Sequence, residues 1–125
     1  DGFHNWETTK RMETMMSPTI VIGDLGPELV LGSGGSNRIR SAITQVILNK
    51  FTKNMNLDEA IQAPRIHLEE NIIHCESGIN TKKLNFPWLT IHNWHEKNLF
   101  FGGVNAVTPT NAVGDTRRSG YGLVR

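Results

Sequence analysis

The sequence predicts a mixed fold of the α/β or α+β class. Three observations carry that expectation: short β-branched runs bounded by turn formers, a helix-period apolar stripe behind a glycine-serine stretch, and strand-like alternation beyond a proline. Strands and helices therefore interleave along the chain.

Residues 1–14 lack apolar periodicity and read as a loop. Thr19 to Ile22, after Pro18, is a short strand. Gly23 to Pro27 is dense in turn formers, and Glu28 to Leu31 is a second strand, so the pair reads as a hairpin. Ile39, Ala42, Ile43, Val46 and Ile47 then recur at helical spacing, with Arg38, Arg40, Thr44 and Gln45 off the stripe. A side-chain oxygen of Asn37 or Ser36 is expected to cap this helix. Asn56 caps a second one, with Asp58 and Glu59 favourable in its first turn, and Pro64 ends it by disfavouring helix at Ala63. Arg65 to Leu68 and Asn71 to Glu76 alternate as strands. Residues 77–98 fit no single element, and Ile91, Trp88 and Trp94 suit either core or cover. Leu99 to Val107 is the strongest late strand, with Gly102-Gly103 marking a weak point or bulge, and the tail adds one short strand.

Length and charge bound the function. With 125 residues the chain fits one domain. Thirteen basic and twelve acidic residues give a net charge of +1, and no basic run interleaved with aromatics suggests nucleic acid. Cys75 stands alone, so an internal disulfide and a cysteine-based metal site are excluded, with a lean to a reducing, cytoplasmic setting. No apolar run approaches the ~20 residues of a membrane span, and no targeting pattern is visible. A start at Asp1, in the middle of a loop-like stretch, suggests a piece of a longer polypeptide.

The stretch from Leu29 to Asn49, "LVLGSGGSNRIRSAITQVILN", runs from strand through a glycine loop into helix. Unpartnered N–H groups at a helix start carry partial positive charge and favour anions. Glycines at 34 and 35 permit close approach, and Arg38 could add charge. The pattern is neither the dinucleotide nor the nucleotide-triphosphate glycine motif. A tight turn without ligand, a phosphate site, a carboxylate site and an oxyanion site all stay open on this chemistry.

Six blocks in order decide more. "MMSPTIV" (15–21), "LVLGSGGSNRI" (29–39), "QVILN" (45–49), "MNLDEAIQAPRIH" (55–67), "LFFGGVNAV" (99–107) and "GDTRRSG" (114–120) together resemble the C-terminal part of γ-glutamyltransferases, N-terminal nucleophile hydrolases. The resemblance implies part of a four-layered αββα sandwich with mainly antiparallel sheet. It implies a parent that cleaves γ-glutamyl amides such as glutathione through an acyl-enzyme on an N-terminal Thr, with no metal or organic cofactor. It also implies that Gly34, Gly35 and Ser36 form the oxyanion loop, with Thr14, Met15, Ser33 and Arg38 on the glutamyl side. "GSGGSNR" stands where the family more often has "GSPGGSR", and Thr14-Met15 stands where many members carry two serines. The region from Asn71 to His95 departs most. The nucleophile belongs upstream of Asp1, because Thr8-Thr9 sit too near the first block to lead the nucleophile strand. The expected partners are the remainder of the precursor, meaning the large subunit and the N-terminal part of the small subunit, together with a γ-glutamyl small molecule. Self-association is a further possibility, through an apolar sheet face left open where missing strands belong. The alternative is a non-catalytic binding or structural domain of the same fold; a phosphate-ligand domain using Gly34 to Arg38 ranks behind it.

Other candidates have ordinary readings. His67 and His74, with Glu69, Glu70 and Cys75 near them, lack the converging set that zinc requires. His92 and His95 flank Trp94 on a face or loop. Cys75 beside His74 lacks a third orienting group, and strand neighbours point to opposite faces. Asp115, Arg117 and Arg118 are expected in a turn with paired charges, as in a similar "DPRR" stretch near the family's C-terminus.

Overall fold

The computed structural model describes residues 8–11 and 14–125, so most of the expected 1–14 loop lies outside the described residues. Among the described residues seven strands form two sheets. The first has the order β1-β2-β6-β7, all antiparallel: β1 (Thr19–Gly23), β2 (Gly26–Gly34), β6 (Gly103–Val107) and β7 (Ala112–Val113). The second pairs β3 (Ile66–Glu69) antiparallel with β4 (Ile72–Cys75), and β4 parallel with β5 (Thr90–Asn93). The mixed, mainly antiparallel fold is the one the sequence predicts.

Alternation along β2 and β6 builds the core. Leu29 and Leu31 face Val104 and Ala106 on one side of the sheet, where α1 (Arg38–Ile47) lays down Ile39, Ala42, Ile43 and Val46. The short α2 (Leu57–Gln62) adds Leu57, Ala60 and Ile61 to the same cluster. The stripe read at positions 39–47 is thus the helix's buried face. On the other side of the sheet, Ile20, Val30, Val107 and Ala112 lie in register across four strands, and the first three stay 60%, 40% and 46% exposed. No helix among the described residues is long and apolar enough to cross a membrane.

Four local expectations need correcting. β2 does not stop at Leu31; it runs to Gly34, because Gly32, Ser33 and Gly34 pair with Asn105, Val104 and Gly103. Conversely, the late strand starts only at Gly103. Leu99–Phe101 is a 3-10 turn whose Phe100 N–H donates to Asn98 Oδ1 (2.9 Å), and Gly102 breaks the chain direction at φ 78°. The start of α1 has no side-chain cap: Asn37 already has helical angles (φ −57°, ψ −25°), unlike the extended backbone a capping residue needs, and its side chain reaches Glu69 instead. α1 also continues through a π-type turn, Leu48–Thr52. At α2 the expected cap is present and reciprocal: Glu59 N–H donates to Asn56 Oδ1 (2.9 Å) and Asn56 N–H to Glu59 Oε2 (3.0 Å). Ala63, before Pro64, is extended (ψ 143°) and ends the helix. The ambiguous 77–98 stretch holds a 3-10 turn (Thr81–Lys83) and β5, with Trp88 exposed and Trp94 and Ile91 half-buried.

A glycine turn on a buried ionic floor

The glycine stretch resolves into three strand residues, Gly32 to Gly34, and a turn. Gly34 ends β2 opposite Gly103; Gly35 (φ 134°) and Ser36 (φ 53°) then reverse the chain into α1. Gly35 has to be glycine: a Cβ there would lie 2.9 Å from Gly102 Cα. The carbonyls of Gly35 and Ser36 accept from Arg38 N–H (3.1 Å) and Ile39 N–H (3.0 Å). By contrast, the N–H groups of Gly35, Ser36 and Asn37 meet no acceptor among the described residues. Three adjacent donors at the start of a ten-residue helix favour an anion.

The other expected site residues scatter around this turn. Ser33 faces the helix side, its Oγ donating to Gly34 O (3.1 Å). Arg38 leans away toward β3: it contacts Glu69 (3.4 Å), donates to Phe100 O (3.3 Å) and lies 4.5 Å from the Phe100 ring centre. Thr14 accepts from Met16 N–H (3.2 Å), and Met15 is 42% exposed; both precede β1, the edge strand. The structure brings Gly34, Gly35 and Ser36 together and leaves Thr14 and Met15 on the surface.

Sequence reasoning missed what lies beneath. Arg65, Glu76, Asp115 and Arg117 are all buried and alternate in charge. Arg65 pairs with Asp115 (2.7 Å), Asp115 with Arg117 (3.2 Å), and Arg117 with Glu76. Backbone groups take most of the remaining valences, and Arg65 Nε alone in the network meets no partner among the described residues. Asp115 accepts from Val104 N–H (2.9 Å) and Arg117 N–H (3.0 Å), Glu76 from Arg65 N–H (3.0 Å) and Asn98 N–H (3.2 Å). The arginines donate to the carbonyls of Ile61, Ala63 and Phe101. Two cations and two anions are thereby held out of water with dense hydrogen bonding, the condition under which such burial is tolerated. Burial by itself would raise the Asp115 carboxyl, but Arg65, the two backbone donors and Arg117 outweigh it and hold it below the usual carboxylate range. Burial lowers Arg65, against the pull of Asp115. Arg117 is raised: burial opposes the charge, and the Glu76 hydrogen bond with Asp115 prevails. This network fixes Phe101, Val104 and the end of α2, and with them the Gly102-Gly103 segment on which Gly34 and Gly35 rest. A sequence signal existed in "APR" and "GDTRR", but nothing in their spacing reveals that one carboxylate serves both arginines.

The histidines form a row rather than a metal centre. His67, His74 and His92 are cross-strand neighbours in register. His67 Nδ1 meets Ser41 Oγ (2.8 Å), and Trp94 Nε1–H donates to His74 Nδ1 (3.3 Å), with Phe100 against both rings. Burial lowers the pKa of His67 and His74, and His92 adds to the effect on His74. No group of three or more metal-ligating side chains converges among the described residues. Cys75 is buried, and burial pushes its thiol up, away from the nucleophilic thiolate.

Comparison with known proteins identifies the family. The model of a family described as gamma-glutamyltranspeptidase matches residues 2–124. The capsule biosynthesis protein CapD proenzyme of Bacillus anthracis is 31% identical over 140 residues, spanning 96% of this chain and 24% of that protein. The glutathione hydrolase proenzyme of Escherichia coli K12 is 43% identical over 58 residues, 46% of this chain and 10% of that protein. The solved gamma-glutamyltranspeptidase from Pseudomonas nitroreducens complexed with L-DON superimposes with a TM-score of 0.79 at 29% identity, over 96% of this chain and 67% of that one. The chain thus spans a quarter or less of the length of these two curated relatives. By the family match along nearly its whole length and by its mixed α/β N-terminal nucleophile hydrolase fold, the chain belongs to the gamma-glutamyltranspeptidase family.

Proposed function

We propose that this chain is the C-terminal segment of an enzyme that cleaves γ-glutamyl amides such as glutathione, to which it contributes the oxyanion loop. The observation that carries this reading is the row of unpartnered backbone N–H groups at Gly35, Ser36 and Asn37, which overlaps Gly34 to Ser36, the residues that match the family's oxyanion glycines. A threonine supplied by chain outside residues 1–125 attacks the γ-carbonyl carbon with its hydroxyl oxygen, its own amino group taking the proton. The carbonyl oxygen becomes an oxyanion, which the turn's N–H groups stabilise more strongly than the flat ground-state carbonyl. Collapse breaks the C–N bond as the threonine's ammonium returns its proton to the departing amine, and water or an acceptor amine then attacks the ester and releases the glutamyl group. No metal or cofactor enters these steps.

In this reading Gly34, Gly35 and Ser36 set the loop, Ser33 braces it through its bond to Gly34 O, and Thr14 offers a hydroxyl toward the glutamyl side. Arg38, engaged by Glu69 and Phe100, fixes the loop against β3. The open face of Ile20, Val30 and Val107 suits burial by the rest of the parent, two sheets packing face to face. Met15, an apolar side chain where many members have a hydroxyl, favours the second reading, a non-catalytic binding domain. Assaying the full polypeptide and the 125-residue chain separately with γ-glutamyl-p-nitroanilide decides between them. Release of nitroaniline by the full polypeptide alone is expected; none from either folded sample overturns the catalytic reading.

A further inference from the structure

Arg118 is the arginine near the glycine turn that the ionic floor does not use. Arg65 and Arg117 are neutralised by Asp115 and Glu76, and Arg38 by Glu69. Arg118 has no carboxylate partner among the described residues; its only polar contact there is a long 3.5 Å approach to Leu99 O. Yet its course is defined. A Cβ built on Gly103 would fall 2.5 Å from Arg118 Cδ, so the side chain lies flat across that glycine. The guanidinium then ends over the turn, its carbon 3.7 Å from a Cβ built on Gly34 and Nη2 3.7 Å from one built on Gly35. Gly34 and Gly103 are paired across β2 and β6, so their missing side chains leave the channel that the arginine fills. The same face continues past Gly32 and Asn105 into the groove lined by Val30, Val107 and Leu123.

We propose that Arg118 supplies a fixed positive charge beside the Gly35–Asn37 donors and stabilises the oxyanion that forms there. The inference rests on the oxyanion reading of the turn. The planar guanidinium presents its donors in a rigid fork, a shape that suits an anionic oxygen. Placed next to N–H donors rather than in their stead, it acts on charge that develops during reaction, and its effect falls on kcat more than on KM.

The test uses the full polypeptide, with R118Q keeping most of the side chain over Gly103 and R118K restoring charge. R118Q is expected to lower kcat about tenfold, less than the ~100-fold or more for losing a direct oxyanion donor, with KM within a factor of about two and R118K recovering part of the rate. Circular dichroism melting confirms that each variant folds. Inorganic phosphate provides a readout independent of turnover: titration followed by the amide resonances of 15N-glycine-labelled protein should show Gly35 shifting, with weaker affinity in R118Q and partial recovery in R118K. Unchanged kcat together with unchanged phosphate affinity overturns the proposal, as does a change in KM alone. If the unaltered polypeptide cleaves no γ-glutamyl amide yet R118Q weakens phosphate binding, the function assigned above fails while the charge assigned to Arg118 stands.

Discussion

Replacing Asp115 by asparagine tests whether the buried network holds the glycine turn's foundation. Asp115 is fully buried and accepts from Val104 N–H at 2.9 Å, Arg117 N–H at 3.0 Å, Arg65 at 2.7 Å and the Arg117 guanidinium at 3.2 Å. Asparagine keeps the shape but removes the charge and turns one acceptor into a donor facing guanidinium donors. Two buried cations would then share Glu76 alone. Breaking one partner of a buried pair costs about 3–5 kcal/mol. With a urea dependence of about 1–3 kcal/mol per molar, the denaturation midpoint should fall by roughly 2 M. The sign with pH follows from the lowered Asp115 carboxyl. Its contribution is present above the unfolded carboxylate value near ~3.9 and is lost as pH falls through the lower folded value. The gap between wild type and D115N should therefore be full at pH 7 and close in strong acid. Urea titrations at both pH values measure it. A loss under about 1 kcal/mol at pH 7, or a gap unchanged in acid, refutes the argument that charge rather than shape makes Asp115 necessary.

Two further outcomes follow from the geometry. Gly35→Ala should cost on the order of 2–4 kcal/mol, from the positive φ of 134° and the 2.9 Å approach to Gly102 Cα, and should abolish γ-glutamyl cleavage by the full polypeptide. Gly32→Ala is the control: its Cβ would meet nothing within 4 Å, and stability should hold or rise in a melting experiment. The lowered pKa of His67 and His74 means the folded state prefers both neutral, so stability should decline as pH falls below about 6.5 through their folded values. His74→Gln should flatten that decline between pH 7.5 and 5, and an identical slope in the variant would count against the histidine row as its source.

The sequence by itself determined much of the frame. The apolar stripe at 39–47 could only be a helix facing a core, because its period matches one face of a helix and no strand. The cap at Asn56 and the stop at Pro64 were legible because both depend on neighbours within four residues. The glycine turn was legible as a place where a side chain would not fit, and the family resemblance rested on its order among six blocks. What stayed illegible depends on atoms distant in sequence. β2 extends to Gly34 only because β6, some seventy positions later, offers its backbone. Asn37 fails as a side-chain cap because the turn has already brought it into helical angles, and Glu69 takes its amide. Arg65, Glu76, Asp115 and Arg117 look like surface charges one by one; only their convergence explains why burial is tolerated, since an unpaired charge there would be too costly. Likewise the sequence places Arg117 and Arg118 side by side in one turn with paired charges. Tertiary structure separates the two: one points into the network of carboxylates, while its neighbour crosses Gly103 to reach the turn. Local pattern fixes elements because their hydrogen bonds close within a few residues, and charge pairing escapes it because a carboxylate acts through space.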